Sequence, residues 1–352
     1  IGAVCPDWFA PAGYRRSDDS RKGDTDLKTT VIGAGAWGTA LARLVHVADG
    51  EVCLWGRDAD ALTKLASTGR NERYLSGVEL PAGIPVEPEL DAAIDGAGCV
   101  VLALPSVAFR GVSERLAKFD GVAVSVTKGI EFDTGLTMGG VLGETMPLAK
   151  VVALSGPTLA EEVCRDMPTA AVAASDSDEA AATVQQIFHR PTFRVYTSGD
   201  PIGVELGGAL KNVIAIAAGA SAGLGFGDNS KAALVTRAIA EIRRLGVACG
   251  ARAETFAGLG GLGDLTVTCF SSLSRNYQFG LRIGAGEKPQ DILADSASAV
   301  EGYPTARSAW NLAQSRNVDT PIIDEVYAML HEGKDLRQAL LDLTTRVSKA
   351  ED

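Results

Sequence analysis

Lys211 lies inside an apolar run, Glu205-Leu-Gly-Gly-Ala-Leu-Lys-Asn-Val-Ile-Ala-Ile216, that has the pattern of a buried helix. Gly207 and Gly208 stand four and three residues before it and Ala215 four after, so all three share its face. A glycine inside a helix costs about 1 kcal/mol against alanine, so something must pack closely there, either another backbone or a substrate. A lysine desolvated on such a face has a lowered pKa and can exchange a proton as a general base. A lysine snorkelling from a helix–helix contact fits the same residues equally well. Lys128 ends a second apolar run, Val122-Ala-Val-Ser-Val-Thr127, and Gly156 ends a third, Val151–Ser155, giving Ser-Gly-Pro-Thr158. Further on, Gly258-Leu-Gly-Gly-Leu-Gly-Asp264 reads as a loop whose N–H groups can face an anion. Asp264 can bond a hydroxyl or pair with Lys211. In Ser274-Arg275-Asn276, the arginine is a natural bidentate partner for a phosphate. Taken together, these residues describe a small cationic, hydroxyl-rich pocket.

A different chemistry is written near the N-terminus. Thr30-Val-Ile-Gly-Ala-Gly-Ala-Trp-Gly-Thr39 holds the glycine pattern GxGxxG at Gly33, Gly35 and Gly38. It follows a short β-branched run and opens a helical one, the context in which the pattern binds a dinucleotide. Gly33 allows a sharp turn, Gly35 lets a pyrophosphate reach the backbone, and Gly38 lets helix and strand lie close. The helix start then offers free N–H groups and a positive dipole end. An NAD site usually places an acid at the end of the second strand, about 20 residues on. Here Val52-Cys-Leu-Trp-Gly-Arg57 ends without one, and Cys53 occupies that position. Arg57 can pair with a 2′-phosphate, so NADP(H) is favoured, with NAD(H) retained if Arg57 is solvated and Asp58 serves as the acid.

These sites need elements to carry them. From Lys28 onward, strands and helices alternate: Thr29–Ile32, Ala36–Val47, Glu51–Trp55, Asp60–Ser67, Cys99–Leu104, Phe109–Lys118, Val122–Thr127, Val151–Ser155, Thr169–Ala174, Glu179–Phe188 and Phe193–Thr197. Residues Gly69 to Asp91 read as loop. Such alternation predicts a doubly wound, mainly parallel α/β sheet of Rossmann type, covered on both faces. Ligands of such a sheet bind beyond the carboxyl ends of its strands, where Gly33, Lys128 and Gly156 fall. After Asp200 only helical patterns remain: Ile202–Ala222, Asn229–Cys249, Tyr277–Ala285, Thr305–Ser315 and Ile322–His331. The expected organisation is a disordered polar tail (1–26), a dinucleotide-binding domain (27–200) and an all-α substrate domain (201–352).

Composition sets the outer limits. The chain has 352 residues with 33 basic and 44 acidic side chains, a net charge of −11. So acidic a protein carries no broad footprint for nucleic acid or anionic lipid, and an anion must be held by a few local donors. Glycine numbers 40, well above the usual ~7%. The six cysteines form no CxxC pair and the three histidines are scattered, so neither a metal site nor a disulfide framework is indicated. No run of about 18 apolar residues marks a membrane span. A cytoplasmic protein is expected.

The motifs also carry a resemblance. The stretches GAGAWGTALA (33–42), LWGRD (54–58), NERYL (71–75), TKGIE (127–131), SGPTLAEE (155–162), ELGGALKNVIAIAAG (205–219), GLGGLGDLTVTC (258–269), SRN (274–276) and VEGY (300–303), in this order, resemble bacterial-type NAD(P)-dependent glycerol-3-phosphate dehydrogenases over about 29–346. The resemblance implies reversible reduction of dihydroxyacetone phosphate to sn-glycerol 3-phosphate, which feeds glycerophospholipid synthesis. It makes Lys211 the proton donor and acceptor, with Lys128 in electrostatic support. It places the substrate against Lys128, Gly156, Thr158, Lys211, Asp264, Ser274, Arg275 and Asn276. It places the cofactor against Ala36, Trp37, Arg57, Tyr74, Lys128, Ala160, Arg275, Ala299 and Glu301, beside the three glycines. The implied partner is a small phosphorylated substrate, and a homodimer is compatible with it. Ala36 stands where the family often has a hydroxyl residue, leaving only a backbone contact, and Ala299 where valine is common. The tail before Lys28 has no counterpart. A 6-phosphogluconate or 3-hydroxyacid dehydrogenase shares the two-domain plan but not the KNV, GLGDL and SRN motifs together. A dinucleotide-sensing regulator would not need Lys211.

Overall fold

A computed structural model of the chain describes residues 27–81, 83–296 and 299–346, so the expected tail of 1–26 lies outside the described residues. The first half is an eight-stranded sheet in the order β3-β2-β1-β4-β5-β6-β7-β8. Its strands are β1 (Thr29–Ile32), β2 (Val52–Trp55), β3 (Val86–Glu87), β4 (Cys99–Leu102), β5 (Val122–Ser125), β6 (Lys150–Ser155), β7 (Thr169–Ala174) and β8 (Phe193–Ser198). All neighbours run parallel except β6 and β7, which are antiparallel. The first six follow the doubly wound order whose direction of winding reverses between β1 and β4.

Side-chain alternation explains the two-sided cover. Val31, Val101, Val124 and Val152 join one buried cluster, and Ile32, Val100, Leu102 and Ala123 join another on the opposite face. The first cluster packs against α1 (Ala36–His46), α2 (Ala59–Thr68), α6 (Ala160–Cys164) and α7 (Asp178–Phe188). The second packs against α3 (Leu90–Ile94), α4 (Ser106–Ser113) and α5 (Met138–Thr145). The stretch from Gly69 to Asp91, expected to be loop throughout, supplies β3 and the start of α3. Only two residues of β3 pair with β2, and the Trp55 indole N–H donates to the Pro88 carbonyl at 2.8 Å. So short a strand leaves no periodic signature.

Among the described residues, every regular element from Pro201 onward is helical. The centre is α8 (Pro201–Gly223), started by Pro201 in its first turn and by Asp200, whose carboxylate accepts from the Gly203 amide at 3.0 Å. Among the described residues it is the one helix long and apolar enough to cross a membrane, and most of it is buried inside the protein. An all-round apolar surface suits a helix enclosed by others. Around it lie α9 (Asp228–Ala248), α10 (Asp264–Phe270), α11 (Arg275–Gly284), α12 (Pro289–Asp295), α13 (Gly302–Arg316), α14 (Pro321–His331) and α15 (Leu336–Thr344).

Helices α8 and α11 touch backbone to backbone. A Cβ at Gly219 would overlap the Tyr277 carbonyl, and one at Gly280 would overlap the Ile216 carbonyl. This seam fixes α11, and with it Arg275 and Asn276, against the helix that carries Lys211. Alanine at an ordinary helix position would stabilise by about 1 kcal/mol, whereas an overpacked contact costs about 1–3 kcal/mol. Gly280→Ala is therefore expected to lower the urea midpoint with an unchanged denaturant slope. A raised midpoint would mean that the helices part without cost.

Candidate active site

The turn after β1 is built from three glycines in three different situations. Gly33 has φ +122°, and a Cβ there would strike the Ala103 carbonyl just beyond β4. A Cβ at Gly38 would strike the Gly33 carbonyl. A Cβ at Gly35 would meet nothing within 4 Å. Two glycines thus close the turn, and the third keeps open a space at the point where the sheet's winding reverses. Gly35 is the N-cap of α1, which has no side-chain cap and no acidic residue in its first turn. A helix start left in this state suits an anion. These features fit the pyrophosphate of a dinucleotide.

The other residues expected at the cofactor take these places in the fold. Ala36 and Trp37 are half-buried in the first turn of α1, and the Trp37 ring lies 6.3 Å from that of Phe193. Arg57 is exposed just past β2. Asp58, the alternative partner for a ribose, accepts from the Ala61 amide at 2.9 Å and so caps α2. Tyr74 is half-buried with the Arg73 guanidinium 5.3 Å from its ring centre. Ala160 opens α6, and Ala299 is exposed shortly before α13. Glu301 accepts from the Ser106 amide at 3.2 Å and from its hydroxyl at 2.6 Å, tying the helical half to the first turn of α4.

The charged centre lies between the two halves. Asp264, at the start of α10, has no exposure to solvent. One of its oxygens accepts from Lys211 Nζ, and the other accepts from Lys128 Nζ at 2.7 Å. Lys128 also donates to the Gly156 carbonyl at 3.0 Å, and Lys211 to Thr268 Oγ at 2.7 Å. The Thr268 hydroxyl donates to the Asp264 carbonyl at 2.6 Å, which leaves its oxygen turned toward the lysine. Burial drives the Lys211 pKa down to about 7; Asp264 opposes the shift and Lys128 adds to it. The close approach demanded by the α8 glycines is made by backbone and strand end. A Cβ at Gly207 would overlap the Gly260 carbonyl, and one at Gly208 would lie 2.6 Å from Ser155 Oγ and 3.5 Å from Lys128 Cγ. The Leu259–Gly263 stretch, read from sequence as a loop, is a π-helical turn leading into α10.

A chain of amides extends from this centre. Asn212 donates to the Lys128 carbonyl at 3.3 Å, Asn276 donates to Asn212 Oδ1 at 2.9 Å, and the Gly302 amide donates to Asn276 Oδ1 at 2.9 Å. Asn276 thus donates one hydrogen bond and accepts another within the protein. Ser274 is buried and caps α11 by accepting from the Tyr277 amide at 3.2 Å. Arg275, next to it, is exposed and feels the charge of Glu301. Thr158 donates to the Gly156 carbonyl at 3.2 Å. The hydrogen-bonded group therefore contains Lys128, Lys211, Asp264, Gly156, Thr158 and Thr268, with Asn276 joined through Asn212. Thr268 and Asn212 were not singled out from the sequence. The signal for Thr268 was its place four residues after Asp264, on the same helix face.

This arrangement agrees with the relatives of the chain. Residues 28–181 match the N-terminal family model of NAD-dependent glycerol-3-phosphate dehydrogenase, and residues 200–341 match its C-terminal model. An NAD(P)+ glycerol-3-phosphate dehydrogenase of Geobacter metallireducens is 48% identical over 330 residues, covering 92% of this chain and 98% of its own. That of Geobacter sulfurreducens is 47% identical over 327 residues, covering 91% and 98%. The crystal structure of glycerol-3-phosphate dehydrogenase from Coxiella burnetii superposes with a TM-score of 0.87 at 34% identity, covering 91% of this chain and 99% of that one. With both family models matched in order along the two halves, the chain belongs to the NAD-dependent glycerol-3-phosphate dehydrogenase family.

Proposed function

We propose that the protein reversibly reduces dihydroxyacetone phosphate to sn-glycerol 3-phosphate with NADPH, accepting NADH less well, and that Lys211 exchanges the proton. The observation that carries this reading is the Asp264 carboxylate shared by Lys128 from the sheet and Lys211 from the helical half. A bound nicotinamide would supply the hydride exchanged at C2 of the substrate. The protonated Lys211 amine gives its proton to the C2 oxygen during reduction, and the neutral amine takes it back during oxidation. A pKa of about 7 populates both forms near neutrality, which suits a reversible reaction. Asp264 and Thr268 hold Nζ in place, and the charge of Lys128 favours negative charge developing on that oxygen.

The open amides at Gly35 and Ala36 would hold the pyrophosphate, with Trp37, Tyr74, Ala160, Ala299 and Glu301 along the rest of the cofactor. Arg57 would hold a 2′-phosphate. Arg275 would hold the substrate phosphate, with Gly156, Thr158, Ser274 and Asn276 shaping its surroundings. On this reading residues 27–200 bind the dinucleotide, residues 201–352 bind the substrate, and the product enters glycerophospholipid synthesis in the cytoplasm. Oxidation of NADPH by dihydroxyacetone phosphate, followed by absorbance, is the direct test; a protein inert to that pair would overturn the reading.

Removing Lys211 with Lys211→Ala should lower kcat by about 10²–10⁴-fold while the NADPH dissociation constant stays near wild type. In the wild type, kcat/KM for reduction should fall as pH rises through about 7, because the acid form is lost. For oxidation it should rise over the same range. A reduction rate unaffected by pH from 6 to 9 would remove Lys211 from the proton step. For Arg275→Ala, loss of a charged hydrogen-bond partner should weaken binding of the phosphorylated substrate by roughly 10- to 150-fold. Discrimination against unphosphorylated dihydroxyacetone should collapse with it; equal discrimination in both proteins would place the phosphate elsewhere. Finally, Arg57→Asp should move the ratio of kcat/KM values from NADPH toward NADH. A wild type that already prefers NADH would contradict the role given to Arg57.

A further inference from the structure

Asn71 lies in the irregular segment after α2, outside the glycine turn, yet it is 92% shielded from solvent (8% exposed). Its amide nitrogen donates twice: to the Ala34 carbonyl at 3.0 Å and to Thr39 Oγ at 2.9 Å. Ala34 is the residue between Gly33 and Gly35, and Thr39 sits in the first turns of α1 with no exposure. One side chain therefore bridges the middle of the glycine turn and the helix it opens. Its backbone is engaged as well, since the Asn71 carbonyl accepts from the Tyr74 amide at 3.2 Å and the Leu75 amide at 2.8 Å.

The direction of the Ala34 bond has a mechanical meaning. The Ala34 carbonyl and the Gly35 N–H belong to one planar trans peptide, so they point in opposite directions. Holding the carbonyl toward Asn71 aims the Gly35 N–H the other way. A buried asparagine that gives one N–H bond to the Ala34 carbonyl while the other anchors it to Thr39 of α1 fixes the rotation of this peptide more tightly than glycine-flanked backbone would by itself. On the other side of the segment, the asparagine's carbonyl anchors the short turn that carries Tyr74.

Resting on the glycine turn as the dinucleotide's site, we propose that Asn71 is a positioning residue for the cofactor. It sets the Ala34–Gly35 peptide so that the Gly35 N–H faces the pyrophosphate, and it couples that setting to Tyr74. It touches neither reacting atom, so its effect falls on cofactor affinity and not on the chemical step.

The test measures NADPH dissociation by quenching of protein fluorescence, together with steady-state kinetics, for Asn71→Ala, Asn71→Asp and, as a control on the site itself, Gly35→Val. Asn71→Asp keeps the shape but turns an acceptor toward the Ala34 carbonyl. Both Asn71 variants are expected to weaken NADPH by about ten- to a hundredfold. They should weaken 2′-phospho-ADP-ribose, which contains the pyrophosphate, by the same factor, while kcat at saturating NADPH and KM for dihydroxyacetone phosphate stay within about twofold. A folded Asn71 variant with wild-type NADPH affinity overturns the proposal. So does a drop in kcat without a change in affinity, or failure of both variants to fold, which would make the role purely architectural. If Gly35→Val leaves NADPH binding intact, the site reading itself fails, and that result is independent of Asn71.

Discussion

A carboxylate shut away from water cannot carry its charge alone, and Asp264 has two lysines to share it. Lys128 comes from the end of β5 and Lys211 from the middle of α8, so one buried group holds together the sheet and the helices. Leaving a buried charge unpartnered costs several kcal/mol, and the neighbouring structure is arranged so that neither lysine can drift away. Gly207 and Gly208 let α8 sit on the π turn before Asp264 and on the Ser155–Lys128 edge. Thr268 receives the second hydrogen bond of Lys211, and the Gly156 carbonyl receives that of Lys128.

The same sharing resolves an electrostatic conflict. The whole chain carries −11, yet its substrate and cofactor are anions. Two ammonium groups on one carboxylate leave the centre with a net positive charge when both are protonated. Desolvation lowers the pKa of Lys211, Asp264 resists it, and Lys128 reinforces it. The balance leaves the group able to change state near neutral pH without exposing it to solvent.

Several parts of this architecture could be read from residue order. The three glycines were informative because each meets a different constraint: a left-handed turn at Gly33, open space at Gly35 and close helix packing at Gly38. The strands were legible because Val and Ile recur on both faces of a covered sheet. Lys211 was ambiguous by itself, since its partner stands 53 residues further along the chain and spacing along a helix says nothing about what crosses it. The pairing of Asp264 with Lys211 was one of two options open to the sequence, and the simultaneous grip on Lys128 was not visible. The glycine-rich turn at 259–263 was read as loop because glycines give no period, although their backbone closes a π-helical turn. The two-residue β3 and the role of Thr268 escaped for a similar reason, as each depends on a partner distant in sequence. The bonds of Asn276 to Asn212 and to the Gly302 amide were likewise not visible, because both partners are distant in sequence.

The seam between α8 and α11 also bears on how such an enzyme can diverge. Carbonyl oxygens of one helix lie where side chains of the other would begin, at Gly219 and Gly280 among others, so the helical half has little freedom to drift by single substitutions at this seam. The end of β2 is the opposite case: Arg57 stands exposed on a short turn. Divergence in this scaffold should therefore be uneven. With Arg57 in the role proposed for it, choice between the two nicotinamide carriers would lie within one or two exchanges on the surface, while a new substrate would need coordinated replacement across two helices and the strand edge they rest on.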